Sequence, residues 1–358
     1  MTDTPVEGRP APPSGHAGVW RAAILAALAF ALAVPGAVLT AVRVGPWELG
    51  SPWVQLLSGY PLTAVSTSAA VLAALLIGRR RRVRLVVSAA MVLLLLVQSA
   101  MLAPRLVPDG WNPLASRPAG QATASPAAGT RGAALTVMAL NVGGSRLDAA
   151  AVIDAVRTHG VKVLALPELS PGTLQALEDA GIATLLPERT LDVSPERTGS
   201  GIFSAFPLTR QPRVPGSEFF QSRALLEVPG LPRRIHLTAV HVESPRPGQV
   251  TGWRKDLQEL TALQRSAPAG APALLLGDFN SSLDHRGLRR LLSAGLNDAA
   301  AATGRGLWPT WPANSTVPAF VQIDHVLASR EFAVESFTTV AIPGPDHAAV
   351  VSRLSYRG

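Results

Sequence analysis

The stretch Ala271–Ser282 reads "APALLLGDFNSS". Its apolar run is of strand type and stops on Asp278, Phe279 and Asn280. Side chains two apart in a strand share a face, so Asp278 and Asn280 can point at one ligand. The same design recurs outward from this point. Asn141 closes "ALTVMALNV", Glu168 follows "VLALP" and His241 follows "LTAV". Asp324-His325 opens "IDHVLAS", and Asp346-His347 lies in "GPDHAAV". Loops at one edge of a sheet are where sites are usually built. A lone Asp or Asn after a strand is ordinarily a turn residue, but a set of such termini is harder to assign to turns.

Between these strands lie helical patterns. "RLDAAAVIDAVRTHG" is amphipathic and ends at Gly160, "PGTLQALEDAG" carries Pro in its first turn, and "GQVTGWRKDLQELTALQRSA" has a 3.6-residue period. A short helix is expected near Arg286–Ala294. Strands outnumber helices, and several are consecutive. This favours a layered α/β sandwich with mixed sheets over a doubly wound parallel sheet. No glycine-rich phosphate loop is present; "NVGGS" at Asn141 lacks the spacing of a dinucleotide fingerprint.

The N-terminal part is different. Residues 1–18 are Pro/Gly-rich and polar, and read as a disordered tail. Residues 19–103 hold three apolar stretches, Ala22–Val42, Trp53–Ile77 and Leu85–Leu102, none with an internal charge. Each approaches the roughly 20 residues that span a bilayer, so three transmembrane helices are expected. The "RRRRVR" of Arg79–Arg84 joins the second to the third and belongs in the cytoplasm. Everything after the third span then lies outside the cytoplasm, with Trp47 and Trp53 at the outer interface. Residues 104–132, rich in Pro, Ala, Gly and Ser, read as a tether to a catalytic domain over 133–358.

Charge follows this division. Residues 1–132 hold 11 Lys and Arg against 4 Asp and Glu, whereas 133–358 hold 21 against 20. The C-terminal domain therefore lacks the net basic charge expected of a nonspecific nucleic-acid binder. The chain has no cysteine, which excludes disulfides, thiolate metal sites and thiol nucleophiles.

Oxygen ligands without thiolate suit a hard divalent cation, Mg²⁺ or Mn²⁺. Histidines with carboxylate partners suit proton transfer to a developing oxyanion, and Asp beside Asn suits activation of water. Together they describe metal-assisted hydrolysis of a phosphate ester.

The ordered set Asn141, Glu168, His241, "GDFN", "IDHV" and "PDHAAV" resembles the endonuclease/exonuclease/phosphatase superfamily, over about Ala133–Tyr356. The resemblance implies a DNase I-like four-layer α/β sandwich. It implies that Glu168 is the principal metal ligand, with Asn141 beside it and Asp346 near. Asp278 would orient or deprotonate the attacking water, and Asn280 would hold it and contact the phosphoryl oxygens. His241 and His347 would contact the scissile phosphate, Asp324 would orient His347, and Arg223 would bind substrate. Gly143 stands where several DNA-repair members have an acidic residue, which puts the weight of the metal site on Glu168. His325 and His236 read as structural residues.

Fold does not choose among nuclease, lipid phosphatase and sphingomyelinase chemistry. A bilayer anchor, an outward-facing domain and balanced charge favour a lipid-linked phosphate or pyrophosphate. The composition resembles membrane-anchored actinobacterial proteins linked to teicoplanin-type glycopeptide resistance, which implies a lipid-linked cell-wall precursor. An extracytoplasmic nuclease and a catalytically silent sensor or scaffold are the alternatives.

Overall fold

The computed structural model describes residues 16–47, 49–77, 81–109, 134–143 and 147–358. The expected tail up to residue 15, the tether from residue 110, and Arg79 and Arg80 of the basic loop lie outside these. The chain forms two compact units, one of residues 1–41 and 60–100, the other of 42–59 and 101–358.

The first unit is helical. It contains most of α1 (His16–Val44) and α4 (Arg81–Leu106), and all of α3 (Tyr60–Leu75). Two 26-residue segments, Val19–Val44 and Arg81–Leu106, each contain an 18-residue window of mean hydropathy 2.4 and are long enough to cross a bilayer. The second expected span differs. It breaks at Gly59 into α2 (Trp53–Ser58) and α3, and a 16-residue helix reaches only about 24 Å at 1.5 Å per residue. The structure thus has two long apolar helices and one short one, not three equal spans.

The unit turns large apolar side chains outward and packs small apolar ones, among them Ala29, Ala73 and Ala74, and a few polar ones inside. Ile24, Phe30, Leu62, Val65, Leu72, Val86 and Leu93 are exposed, while Thr63, Thr67 and Gln98 are buried. Gln98 donates to Thr63 Oγ1 at 3.2 Å. The helices meet through small residues: a side chain at Gly36 would stand 2.6 Å from Gln98 Nε2 and 2.7 Å from Thr67 Oγ1.

The second unit is an α/β sandwich. In chain order its elements are α2, β1 (Ala134–Ala139), α5 (Ala149–Thr158), β2 (Val163–Pro167), α6 (Pro171–Asp179), α7 (Ile182–Leu185), β3 (Glu188–Asp192), β4 (Ser200–Ser204), β5 (Leu208–Gln211), β6 (Arg223–Leu226), β7 (Ile235–His241), α8 (Val250–Ser266), β8 (Ala273–Asp278), α9 (Arg286–Leu292), β9 (Leu296–Asp298), α10 (Ala299–Ala302), β10 (Asp324–Ser329), β11 (Phe332–Val340) and β12 (Ala349–Tyr356). Two six-stranded sheets run β11-β12-β1-β2-β4-β3 and β5-β6-β7-β8-β10-β9. β3, β5 and β9 have no clear alternation and are not legible in the sequence.

Burial on both faces explains the continuous apolar runs. Val137, Ala139, Val163, Leu237, Leu274 and Val326 point between the sheets. Met138, Leu140 and Leu164 pack outward under α5 and α6, and Val240 and Leu275 under α8 and α9. The result is helix, sheet, sheet, helix.

Among the described residues, only β1–β2 and β7–β8 pair in parallel. A helix returns the chain between the members of each pair, so both strands end at the same edge. β10 runs antiparallel to β8 and begins there, with Asp324 opposite Asp278. β12, antiparallel to β1, begins at that edge as well.

Candidate active site

The polar strand ends converge at this edge. His241, Asp278 and Asp324 are side by side in register across β7, β8 and β10. Asn141 and Glu168 follow β1 and β2 of the other sheet. The Asn141 carboxamide joins the two sets: Nδ2 donates at 3.1 Å to Glu168 Oε1 and at 3.1 Å to Asp278 Oδ2.

Two of these residues hold left-handed backbone conformations, Glu168 at φ 59° and Asn280 at φ 45°. Asn tolerates this region, but Glu does not, and the cost is on the order of 1 kcal/mol. That cost aims the Glu168 carboxylate back over the sheet edge.

Asp278 is buried, and burial raises its carboxyl to about 7. The nearby Asp324 carboxylate pushes the same way, against the His347 charge and hydrogen bonds from Asn280 and Asn141. Asn280 holds Asp278 twice, through its backbone N–H at 2.8 Å and its Nδ2 at 3.2 Å. Nδ2 also donates to the Val242 carbonyl at 2.8 Å. Both amide hydrogens are therefore spent on the protein. Its Oδ1 is the atom left to accept from a water.

His347 and Asp324 form a buried pair, with Nδ1 to Oδ2 at 2.9 Å. His347 Nε2 faces Asp278 Oδ2 at 3.7 Å. Burial opposes a charged ring, but Asp324 and Asp278 outweigh it and push the imidazolium up to about 10. His241 is the opposite case. Its Nε2 lies 3.5 Å from Glu168 Oε1, yet burial, with the His347 and Arg197 charges, lowers it to about 3. One histidine is held charged and the other neutral.

Burial also raises Glu168, against the Asn141 amide and the Arg197 and His347 charges, with Asp346 adding to the rise. Among the described residues its Oε2 is buried without a hydrogen-bond partner. Gly143 keeps the space beside it open. A Cβ there would lie 1.8 Å from Glu168 Oε2 and 3.1 Å from Asn141 Oδ1. Glu168 Oε2, without a hydrogen-bond partner, and Asn141 Oδ1, which accepts from Gly143 N–H at 2.9 Å, both lie against Gly143, a donor set that suits a hard divalent cation. Asp278, Asp324 and His347 offer a second group, with ligand atoms within 4.8 Å of one another. There, however, the histidine Nδ1 already binds Asp324.

Two expected residues lie apart. Asp346 is exposed, accepts from the Trp311 indole at 3.4 Å and reaches Glu168 through its charge. Arg223 is not brought into the group by any described contact; it donates to the Pro212 carbonyl at 3.1 Å beside the β5–β6 pair. The arginine at the site is Arg197, whose Nε is 3.7 Å from Glu168 Oε2. Phe219 packs edge-on against His241, ring centres 4.3 Å apart. Neither Arg197 nor Phe219 carries a signal in the sequence, since both arrive from irregular loops. His325 is buried between Asp298 Oδ2 at 2.7 Å and the Ser281 carbonyl at 2.8 Å. His236 lies near the start of β7, at the end opposite His241.

Paired mixed sheets with a carboxylate- and histidine-lined edge define a DNase I-like α/β sandwich. The chain belongs to the endonuclease/exonuclease/phosphatase family, whose model matches residues 138–355. Solved structures agree on the fold. Humanized D. rerio TDP2 superposes with a TM-score of 0.50 at 16% identity, covering 62% of this chain and 98% of that one. Truncated Caenorhabditis elegans TDP2 gives 0.50 at 19%, with the same coverage. An endonuclease/exonuclease/phosphatase from Beutenbergia cavernae gives 0.48 at 20%, covering 63% of this chain and 72% of that one. No curated protein matches the sequence.

Proposed function

We propose that this protein is a membrane-anchored, metal-dependent phosphoesterase that hydrolyses a phosphate ester or pyrophosphate carried by an apolar molecule at the outer membrane face. The observation that carries the reading is the Asn141 carboxamide shared by Glu168 and Asp278. It sets a metal-type carboxylate and a water-activating carboxylate on either side of one amide.

A bound Mg²⁺ or Mn²⁺, held by Glu168 and Asn141, would supply positive charge to the phosphoryl oxygens. The chain's own residues do the rest. Asp278 takes the proton of the attacking water, whose oxygen bonds to phosphorus as the P–O bond to the leaving group breaks. Asn280 fixes Asp278 and receives that water at Oδ1. His347, kept charged by Asp324, faces the phosphoryl group and returns a proton to the leaving oxygen. Neutral His241 donates to a phosphoryl oxygen. Arg197 replaces Arg223 as the substrate-facing cation.

Two features support an apolar, membrane-borne substrate. Trp308, Val317 and Phe320 are exposed, and Phe320 packs edge-on against the Trp311 that bonds Asp346, ring centres 5.7 Å apart. Exposed apolar side chains of this kind suit an apolar partner. The helical unit exposes its large apolar residues and buries its Thr and Gln side chains, the arrangement favoured in lipid. On this reading residues 1–18 are a cytoplasmic tail and 19–103 a multi-pass membrane domain. The tether expected over 104–132 begins only after the last turn of α4, whose Arg105 is bound to Asp284, and 133–358 are the extracytoplasmic catalytic domain. A lipid-linked cell-wall precursor, with a role in glycopeptide resistance, is the first substrate to try.

The test uses the full chain in detergent with Mg²⁺ or EDTA, given a polyprenyl pyrophosphate or plasmid DNA. Phosphate release from the lipid, abolished by EDTA and by Asp278→Asn, is the expected result. DNA cleavage without lipid turnover would make the protein a nuclease, and no turnover of either with no metal bound would make it a scaffold. Protease access to the C-terminal domain on intact cells checks its side of the membrane.

A further inference from the structure

The buried pair of Asp324 and His347 is assembled from two different sheets. Asp324 opens β10, whereas His347 lies just before β12 of the other sheet. β9 pairs with β10 only over residues 327–329, so the opening residues of β10 take their partners from elsewhere. Thr310, fully buried in the preceding loop, supplies them. Its Oγ1 accepts the backbone N–H of Ile323 at 3.1 Å and that of Asp324 at 3.2 Å. Its own N–H donates to the Val321 carbonyl at 2.9 Å.

The same residue reaches the other half of the pair. The Thr310 carbonyl accepts the N–H of Ala348, one position after His347, at 2.8 Å. Three residues on, the Ala313 N–H donates at 2.7 Å to the carbonyl of Asp346, one position before His347. Backbone bonds from this loop thus grip the chain on both sides of the histidine. At Asp324 the grip is a side-chain hydroxyl, which takes two consecutive amides that would otherwise be buried unpaired. Threonine suits that task, because its β-branch restricts the rotamer that places the oxygen.

We propose that Thr310 is a positioning residue, which fixes the distance at which Asp324 of one sheet meets His347 of the other. Face-to-face packing of two sheets does not by itself hold a residue of each at hydrogen-bond distance. Thr310 does so by bonding Asp324 itself through Oγ1 and the neighbour of His347 through its carbonyl. The Asp324 Oδ2 to His347 Nδ1 distance of 2.9 Å follows. Such distances matter, since a misplacement of about 1 Å can cost about 10²-fold in rate. The inference rests on the hydrolytic reading of Asp324 and His347, and it adds a residue that touches neither substrate nor reacting atoms.

The test compares Thr310→Val, which keeps the shape and removes the acceptor, with Thr310→Ser, which keeps the acceptor, both in the full chain in detergent. With polyprenyl pyrophosphate as substrate, kcat of the valine variant should fall about tenfold with KM little changed, and serine should restore most of the loss. In an Asp324→Asn background, Thr310→Val should cost no more than about twofold, because its effect passes through Asp324. Hydrogen exchange followed by mass spectrometry should quicken about tenfold in the peptide holding Ile323 and Asp324, in the valine variant but not in the serine variant. A valine variant as fast as the wild type, an effect on KM alone, or equal losses with and without the Asp324 carboxylate overturns the inference. If the valine variant does not fold, Thr310→Ala, which leaves room for a water beside the two amides, takes its place in every comparison. Exchange reads the contact without turnover. If no phosphoester is hydrolysed, the hydrolytic reading fails, and exchange alone then decides whether Thr310 fixes Asp324: quickened exchange upholds it and unchanged exchange overturns it.

Discussion

Arg105 and Asp284 form a bidentate ion pair in which both side chains are buried, although 179 residues separate them in sequence. It fastens the last turn of an apolar helix to the loop that begins with Asp278 and Asn280. The same loop is held along its length. Trp253 Nε1 donates to the Asn280 carbonyl at 3.0 Å, and His285 Nδ1 accepts from Ser282 N–H at 2.8 Å.

Removing this carboxylate strands two guanidinium groups. Burial alone would raise Asp284, but Arg105 and Arg43 outweigh it and hold it below the usual carboxylate range. A depressed folded-state pKa gives stability that is present above the unfolded value of about 3.9 and is lost as pH falls through the folded value. Thermal unfolding of the full chain in detergent should therefore weaken in acid. Asp284→Asn should lose about 3–5 kcal/mol at neutral pH, the cost of breaking a buried pair, and show a flatter acid limb. A variant as stable as the wild type at pH 7 would show that the pair contributes nothing.

His325 gives the opposite sign. Burial opposes its charge, but Asp298 outweighs burial and raises the ring. Its contribution is complete below the unfolded value of about 6.5 and lost as pH rises through the folded value. His325→Gln should be destabilised most at low pH and converge on the wild type in alkali. Denaturation curves between pH 5 and 9 that keep a constant gap would contradict this.

Asp324 touches His347 and not the reacting atoms, so it is a positioning residue. Asp324→Asn keeps the shape but removes the charge that holds the imidazolium. kcat should fall by about 10²-fold with KM little changed, and the alkaline limb of the kcat profile should move to lower pH. An unchanged limb would mean that His347 does not depend on this carboxylate.

Gly143 leaves no room for a side chain. Gly143→Ala should displace the Glu168 carboxylate, because the new Cβ would stand 1.8 Å from Oε2. Mn²⁺ binding followed by electron paramagnetic resonance should weaken about 10- to 100-fold, with the fold intact by circular dichroism. Metal binding equal to that of the wild type would move the site to the Asp278, Asp324 and His347 group.

Much of the fold can be read from local pattern. Strands buried on both faces leave long apolar runs, and a chain leaving a sheet edge needs a polar residue there, so Asn141, Glu168, His241 and Asp278 all mark strand ends. The apolar helices are legible for the same reason, since composition alone measures affinity for lipid. The break in the second stretch falls at Ser58-Gly59-Tyr60-Pro61, where the sequence is softest, since Gly costs a helix interior about 1 kcal/mol against Ala.

What the sequence could determine was the inventory: which side chains end which strands, and which segments are apolar. Only the tertiary structure decided their partners. Parallel pairing of β1 with β2 and of β7 with β8 brings four strand ends to one edge, antiparallel β10 begins there, and the Asn141 amide then spans two sheets. Arg197 rather than Arg223 lies beside Glu168, Asn280 spends its amide on Val242 and Asp278, and Asp284 collects two arginines from far upstream in the chain. These outcomes depend on distances between residues far apart in sequence, set by sheet register and packing, and no local pattern encodes them.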